Sequence, residues 1–253
     1  MRRIYASLFP VAALISLACS SNPQTESSTA STTTPSSSAA ASAPMEASRV
    51  VAGGGISASG WTGRIDANEA KRGQVLANAK LASSGNTLQV TTGPAVAYWN
   101  PSNRASGDYT VKATFTEPKY MNVNDHPHPY GIFIGGNDMG TDAQSYLYCA
   151  AYGNGNFIVR GFGPEAFQLN GRRGEANAAV NKAAGTNQPV TQAIAVSVKG
   201  DKVDCAINGT VVGSYNKSDV VAPGKLKSTD GIYGIRFAHN TDGQVSGLTV
   251  TKP

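Results

Sequence analysis

Two Asn-Gly dipeptides, Asn154-Gly155 and Asn208-Gly209, each stand between short runs rich in β-branched and aromatic residues. Asn-Gly supplies the positive φ that a tight hairpin turn needs, so each run is expected to fold back on its neighbour as an antiparallel pair. The first turn joins residues 145–152 to 157–160, and the second joins 203–207 to 211–215. Lys199-Gly200-Asp201 makes a third turn, and before it Ile194, Val196 and Val198 alternate with Ala195 and Ser197. That period of two belongs to a strand with one buried face. Further runs at 88–91, 95–99, 109–115, 130–134, 232–237 and 245–251 read the same way. Gly73 interrupts residues 67–81, whose apolar positions keep no helical period, so this stretch is expected to be irregular or a short turn. Many short strands with turns between them predict an all-β, antiparallel two-sheet jelly-roll sandwich.

The N-terminus is of another kind. Arg2 and Arg3 precede an apolar run from Ile4 to Ala18, which has the charge order of a secretion signal and is too short for a membrane span of about 20 residues. Residues 1–18 are therefore expected to be a signal peptide. The run ends Ser16-Leu17-Ala18-Cys19, which resembles a bacterial lipobox, with Ser16 where leucine is usual. That resemblance implies lipidation of Cys19. With Ser20 rather than aspartate after it, it also implies the outer membrane of the cell envelope. An ordinary signal peptide with an incidental cysteine is the alternative. Residues 19–48 are nearly all Ser, Thr, Ala and Pro, without an aromatic, and read as a solvated linker. Fully extended, such a linker reaches roughly 90 to 100 Å. Residues 49–253 are long enough for one domain with a full core.

The formal charge of +5 is carried by scattered residues, dense only at Arg172-Arg173 and at Lys225 and Lys227. This suits attraction to anionic surfaces and gives no nucleic-acid footprint. Cys149 and Cys205 each fall on the apolar side of their strand. An oxidising compartment would let them pair as a disulfide, and two separate buried thiols are the alternative.

Gly-Pro-Ala at 93–95, Tyr130-Gly-Ile-Phe-Ile-Gly-Gly-Asn137, Ser145-Tyr-Leu-Tyr148, the Asn208-Gly209 hairpin and Asp230-Gly-Ile-Tyr-Gly-Ile-Arg-Phe237 together resemble the concanavalin A-like lectin/glucanase superfamily. The likeness lies especially with bacterial lipoproteins related to 3-keto-disaccharide hydrolase domains, and it spans residues 85 to 253. It implies a curved jelly roll that binds ligand on one sheet face and its rim loops. Glucanases of this superfamily set two carboxylates on one strand about 5 Å apart. Neither Glu-x-Asp-x-x-Glu nor the Glu-x-Gln-type motif of the keto-disaccharide enzymes occurs in this chain. The resemblance therefore implies a membrane-anchored, non-catalytic module for a glycan or envelope polymer. Two alternatives stand beside it, a hydrolase or lyase of (3-keto-)glycosides and a structural envelope lipoprotein.

Sugars are held by aromatic faces and by amide, carboxylate and guanidinium groups. The candidates are Tyr98 and Trp99, Asn137 and Asp138, Gln144, Tyr146 and Tyr148, Arg160 and His239. Core packing is the alternative for each aromatic. In Asp125-His126-Pro127-His128-Pro129 each proline extends the residue before it, so His126 and His128 share a side. With Asp125 or His239 they could make a three-ligand site for zinc, manganese or a similar divalent metal; apart from that alternative no cofactor is expected. Otherwise they are polar rim residues. No nucleophile elbow, phosphate loop or dinucleotide fingerprint occurs.

Overall fold

The structure is a computed structural model that describes residues 47–123 and 126–253, the side chains of residues 122–126 excepted. The expected signal peptide, Cys19 and all but the last two residues of the expected linker lie outside the described residues.

In chain order the strands are β1 (Gly55–Ile56), β2 (Thr62–Ile65), β3 (Ala79–Ser84), β4 (Thr87–Thr92), β5 (Val96–Ala105), β6 (Tyr109–Glu117), β7 (Asn122–Val123), β8 (His126–Pro127) and β9 (Tyr130–Asn137). They continue with β10 (Ser145–Ala151), β11 (Asn156–Phe162), β12 (Phe167–Gln168), β13 (Glu175–Ala176), β14 (Val190–Lys199), β15 (Lys202–Ile207), β16 (Thr210–Asn216), β17 (Gly231–Phe237) and β18 (Asp242–Thr251). The first sheet runs β1-β3-β4-β18-β6-β14-β15-β16 and the second β12-β11-β10-β9-β17-β5-β2, with β13 also on β11. The predicted two-sheet sandwich is what forms.

The two sheets spend their faces differently. Along β14 buried and exposed residues alternate, so the first sheet buries one face and offers the other to water. Cross-strand hydroxyl pairs stud that wet face: Thr116 with Thr191 at 2.9 Å, and Thr110 with Ser197 at 3.2 Å. Every residue of β10, by contrast, is buried. Leu147, Cys149 and Ala151 enter the inter-sheet core with Tyr98, Ile132, Ile235 and Phe237, while Tyr146, Tyr148 and Ala150 join a second apolar cluster on the opposite face.

Across the core Cys149 of β10 is bonded to Cys205 of β15, with Cα atoms 5.8 Å apart. The disulfide is thus the outcome, and it ties one sheet to the other between positions 56 residues apart.

Three local readings are corrected. Residues 67–81 hold helix α1 (Ala67–Ala70), a 3-10 turn at Leu76–Asn78 and the start of β3. The strand escaped notice because only Ala79 and Leu81 of it are fully buried, too short an alternation to show. β2 was likewise unforeseen, since Thr62-Gly-Arg-Ile carries one large apolar side chain. The antiparallel expectation fails at β1, which pairs parallel to β3 over two residues. β5 runs through Pro101, where a central strand would be broken. It can do so because β2 leaves it at Trp99 and a bulge opposite Ile232–Gly234 loosens the other side.

Reducing the disulfide, or replacing both cysteines by alanine, is expected to cost about 2–4 kcal/mol. A lowered urea midpoint in dithiothreitol measures it; an unchanged midpoint would show that the sheets hold without the staple.

Candidate functional site

Strand pairing places side chains of the second sheet on its outer face in transverse rows, because directly paired residues point the same way. One row carries Arg64 of β2, Ala97 of β5, Arg236 of β17, Gly131 of β9 and Ala150 of β10. The next carries Thr62, Trp99, Gly234, Phe133, Tyr148, Arg160 and Gln168. Tyr146 pairs with Phe162 one row further on. Glycine is required in the middle: a Cβ on Gly234 would stand 2.6 Å from the Phe133 ring, which lies over it.

The aromatics and guanidinium groups form one stack. Tyr148 and Phe162 are stacked with centroids 6.0 Å apart, and Tyr146 lies 5.2 Å from Phe162. Arg236 sits 5.8 Å above Tyr148 and 5.6 Å above Phe162, and Arg160 lies 5.1 Å from the Phe162 centroid. Such cation-ring contacts are strongest where water is excluded. Arg236 is buried and bonded to Asp66 at 2.5 Å and to the Phe237 carbonyl at 2.8 Å. Burial alone would lower the Arg236 pKa, but Asp66 and the neighbouring phenols outweigh it and hold the guanidinium charged. Burial also pushes the Asp66 carboxyl above the usual carboxylate range, against the pull of Arg236 and Arg160. Both tyrosines are driven up by burial and stay neutral donors. Arg236 pairs with Asp66 directly, and Arg160 acts on the same carboxylate only through space. Among the described residues Arg160 makes no ion pair and Arg236 Nε finds no acceptor.

Of the residues expected from sequence, this face gathers Trp99, Tyr146, Tyr148 and Arg160, the three aromatics being themselves buried in its apolar cluster. Tyr98 is a correction: it is fully buried between the sheets, because consecutive strand residues face opposite ways and Trp99 takes the outer side. Asn137 is spent on structure, its amide donating to the Gly135 and Asp230 carbonyls at 3.0 Å. Asp138 pairs with Lys227, and Gln144 accepts from the Gly140 amide in the β9–β10 loop. Sequence reading missed Phe162, Arg236 and Asp66. Arg236 could have been found as the one charge in the run Gly231–Phe237, where period two gives it a buried face.

His239 lies elsewhere, at the end of the sandwich where β17 leaves and β9 enters. Its Nε2 is 3.0 Å from Nε2 of His128, and its Nδ1 is 3.5 Å from Glu69 Oε1. Ser48 Oγ donates to the other Glu69 oxygen at 3.0 Å. His128 is only 2% exposed, so the rim reading is corrected for it. It lies between β8 and β9, immediately before Pro129, which favours an extended backbone there. Asp125 and the His126 side chain lie outside the described residues, and no group of three potential ligands converges among the described ones. Nearby, burial raises the Glu117 pKa to about 7; Oε1 accepts from the Met121 amide at 3.2 Å while Oε2 has no partner among the described residues.

No protein-family model matches the chain, and no curated protein sequence does. Among solved structures, the carbohydrate-binding module CBM66 of Bacillus subtilis superposes with a TM-score of 0.51 at 11% identity, over 78% of this chain and 98% of that one. A Bacillus subtilis protein of unknown function with a galectin-like fold gives 0.49 at 10% identity, over 76% and 89%. The endo-β-1,3-glucanase of Pyrococcus furiosus gives 0.45 at 13%, over 82% and 92%. The sandwich shares its jelly-roll fold with that carbohydrate-binding module, and at this identity the likeness is one of fold alone.

Asp66→Asn leaves the Arg236 guanidinium buried without its counter-charge and is expected to cost about 3 kcal/mol, the low end for a buried pair because Asp66 keeps 24% of its side chain in water. Adding Arg236→Met should recover most of the loss in urea titrations; no recovery would mean that the guanidinium packs rather than pairs. Glu117 gives a second test. Its folded pKa of about 7 lies above its ordinary 4.5, so between these values the native state binds more protons than the unfolded one. Stability should fall by roughly 3 kcal/mol as pH rises through that window. Glu117→Gln should flatten the profile of melting temperature against pH.

Proposed function

We propose that this chain is a lipid-anchored envelope protein whose sandwich binds a glycan without cleaving it, on the outer face of the second sheet. One observation carries the reading: a stack of Tyr146, Tyr148 and Phe162 shares its face with the guanidinium groups of Arg160 and Arg236 and the carboxylate of Asp66. Aromatic faces cover the apolar side of a pyranose, and guanidinium donors reach its hydroxyls or a carboxylate substituent. Phe162 and Arg160 are the half-buried members, the ones a ligand meets first. Asp66 is tied to Arg236, which suits holding a sugar better than attacking one. The fold shared with a carbohydrate-binding module supports the same reading. Cys19 and the Ser/Thr-rich linker would hold the domain at the outer membrane while it searches the space above.

A glycan array is the test. Saturable binding is expected, about tenfold weaker in Arg160→Ala and in Phe162→Ala with circular dichroism unchanged. Turnover of 3-keto-glycosides dependent on added zinc or manganese would overturn the non-catalytic reading and direct attention to His128 and His239. Silence in both assays leaves a structural lipoprotein. Cys19→Ala should release the protein from the membrane fraction.

A further inference from the structure

On the far side of β5 from the aromatic stack, a cleft of about 280 Å³ opens between the two sheets. It exists because β2 pairs with β5 only as far as Trp99, leaving residues 100–105 without a neighbour on that edge. Across the gap stand the β3–β4 turn, whose Gly85 has a φ of +56°, and the part of β18 where the register slips between Ser246 and Thr249. The lining divides by chemistry. The apolar lining consists of Trp61, which is half-buried, with Leu88, Val245 and Leu248. The polar lining consists of the carboxamides of Asn86, Asn100 and Asn103 with hydroxyls from Ser83 and Thr87.

We infer that this cleft is a second ligand site, which takes one neutral sugar unit. Three features select that ligand. A tryptophan beside a row of carboxamides offers an apolar plate and groups that both donate and accept, which neighbouring hydroxyls on a sugar ring need. No charged side chain lines the cleft, so nothing there favours an acidic or basic ligand. The volume lies just below the range of about 300–1,000 Å³ usual for drug-sized ligands, which fits a single ring.

The groups are also uncommitted. Asn100 Oδ1 accepts from the Ser102 amide at 3.0 Å and leaves its NH₂ available. Among the described residues the side chains of Asn86 and Asn103 make no hydrogen bond. The site is independent of the aromatic-guanidinium face: Trp99 serves one side of β5, and Asn100 and Asn103 line the cleft beside its unpaired edge. Two sites on one rigid domain would let a branched or long polymer bind with avidity beyond either contact.

The chain has two tryptophans, and Trp99 is buried, so acrylamide quenching of the full-length protein in detergent reads chiefly Trp61. The probes are the methyl glycosides of glucose, galactose, mannose, fructose and N-acetylglucosamine, with glucuronate as the charged control. Saturable protection by at least one neutral glycoside and none by glucuronate is expected. The double variant Asn86→Ala, Asn103→Ala should weaken it about tenfold, as two lost neutral hydrogen bonds would. Arg160→Ala should leave it unchanged, which separates this site from the outer-face site. Absence of saturable protection by every neutral glycoside, equal protection by glucuronate, or protection indifferent to the asparagine variants would overturn the inference.

Discussion

The second sheet is buried on both faces, and much else follows from that. A strand assigns alternate residues to opposite sides, so β9, β10 and β17 must supply two apolar surfaces at once. The inner one closes the core against the first sheet and is covalently tied through Cys149 and Cys205. The outer one is a second cluster built on Trp99, Phe133, Tyr146 and Tyr148. A charge placed there leaves water, and Arg236 is tolerated because Asp66 and two aromatic faces replace its hydration. The electrostatics of the candidate site are thus a product of the packing beneath it.

The polar chemistry of the domain collects where the sheets stop covering one another. At one end, strand termini bring His128, His239, Glu69 and Glu117 into burial, where each must find a partner or shift its protonation. Along one side, the early end of β2 exposes the edge of β5 and leaves the amide-lined cleft. Arg49 fastens the chain as it enters the domain, through an ion pair to Asp242 at 2.7 Å and its backbone amide to Asn240 at 2.7 Å.

Legibility varied with how local each signal was. The Asn-Gly turns and the alternation of residues 194–198 are read within a few residues, and the strands they marked formed. β2 and the first half of β3 carry too few apolar side chains to show a period; they are strands because β5 and β4 offer them partners. The site residues divide in the same way. Tyr146 and Tyr148 were recognised as a set opposed to Leu147 and Cys149, a property of one strand. Their neighbours Phe162, Arg236 and Asp66 come from three other segments, and only pairing registers and chain reversals bring them together.

By itself the sequence determined the all-β class, the antiparallel hairpins, the inward side of each cysteine and the resemblance to lectins and glucanases. These depend on turn chemistry and period-two patterning, which act over two to ten residues. Tertiary structure alone decided that the two cysteines meet, that Tyr98 and Trp99 part company, that His128 faces His239, and that an arginine can lie buried against aromatic rings. Each of these needs atoms more than 30 residues apart, or a choice between the two faces of a strand, and no local rule fixes which face meets which partner.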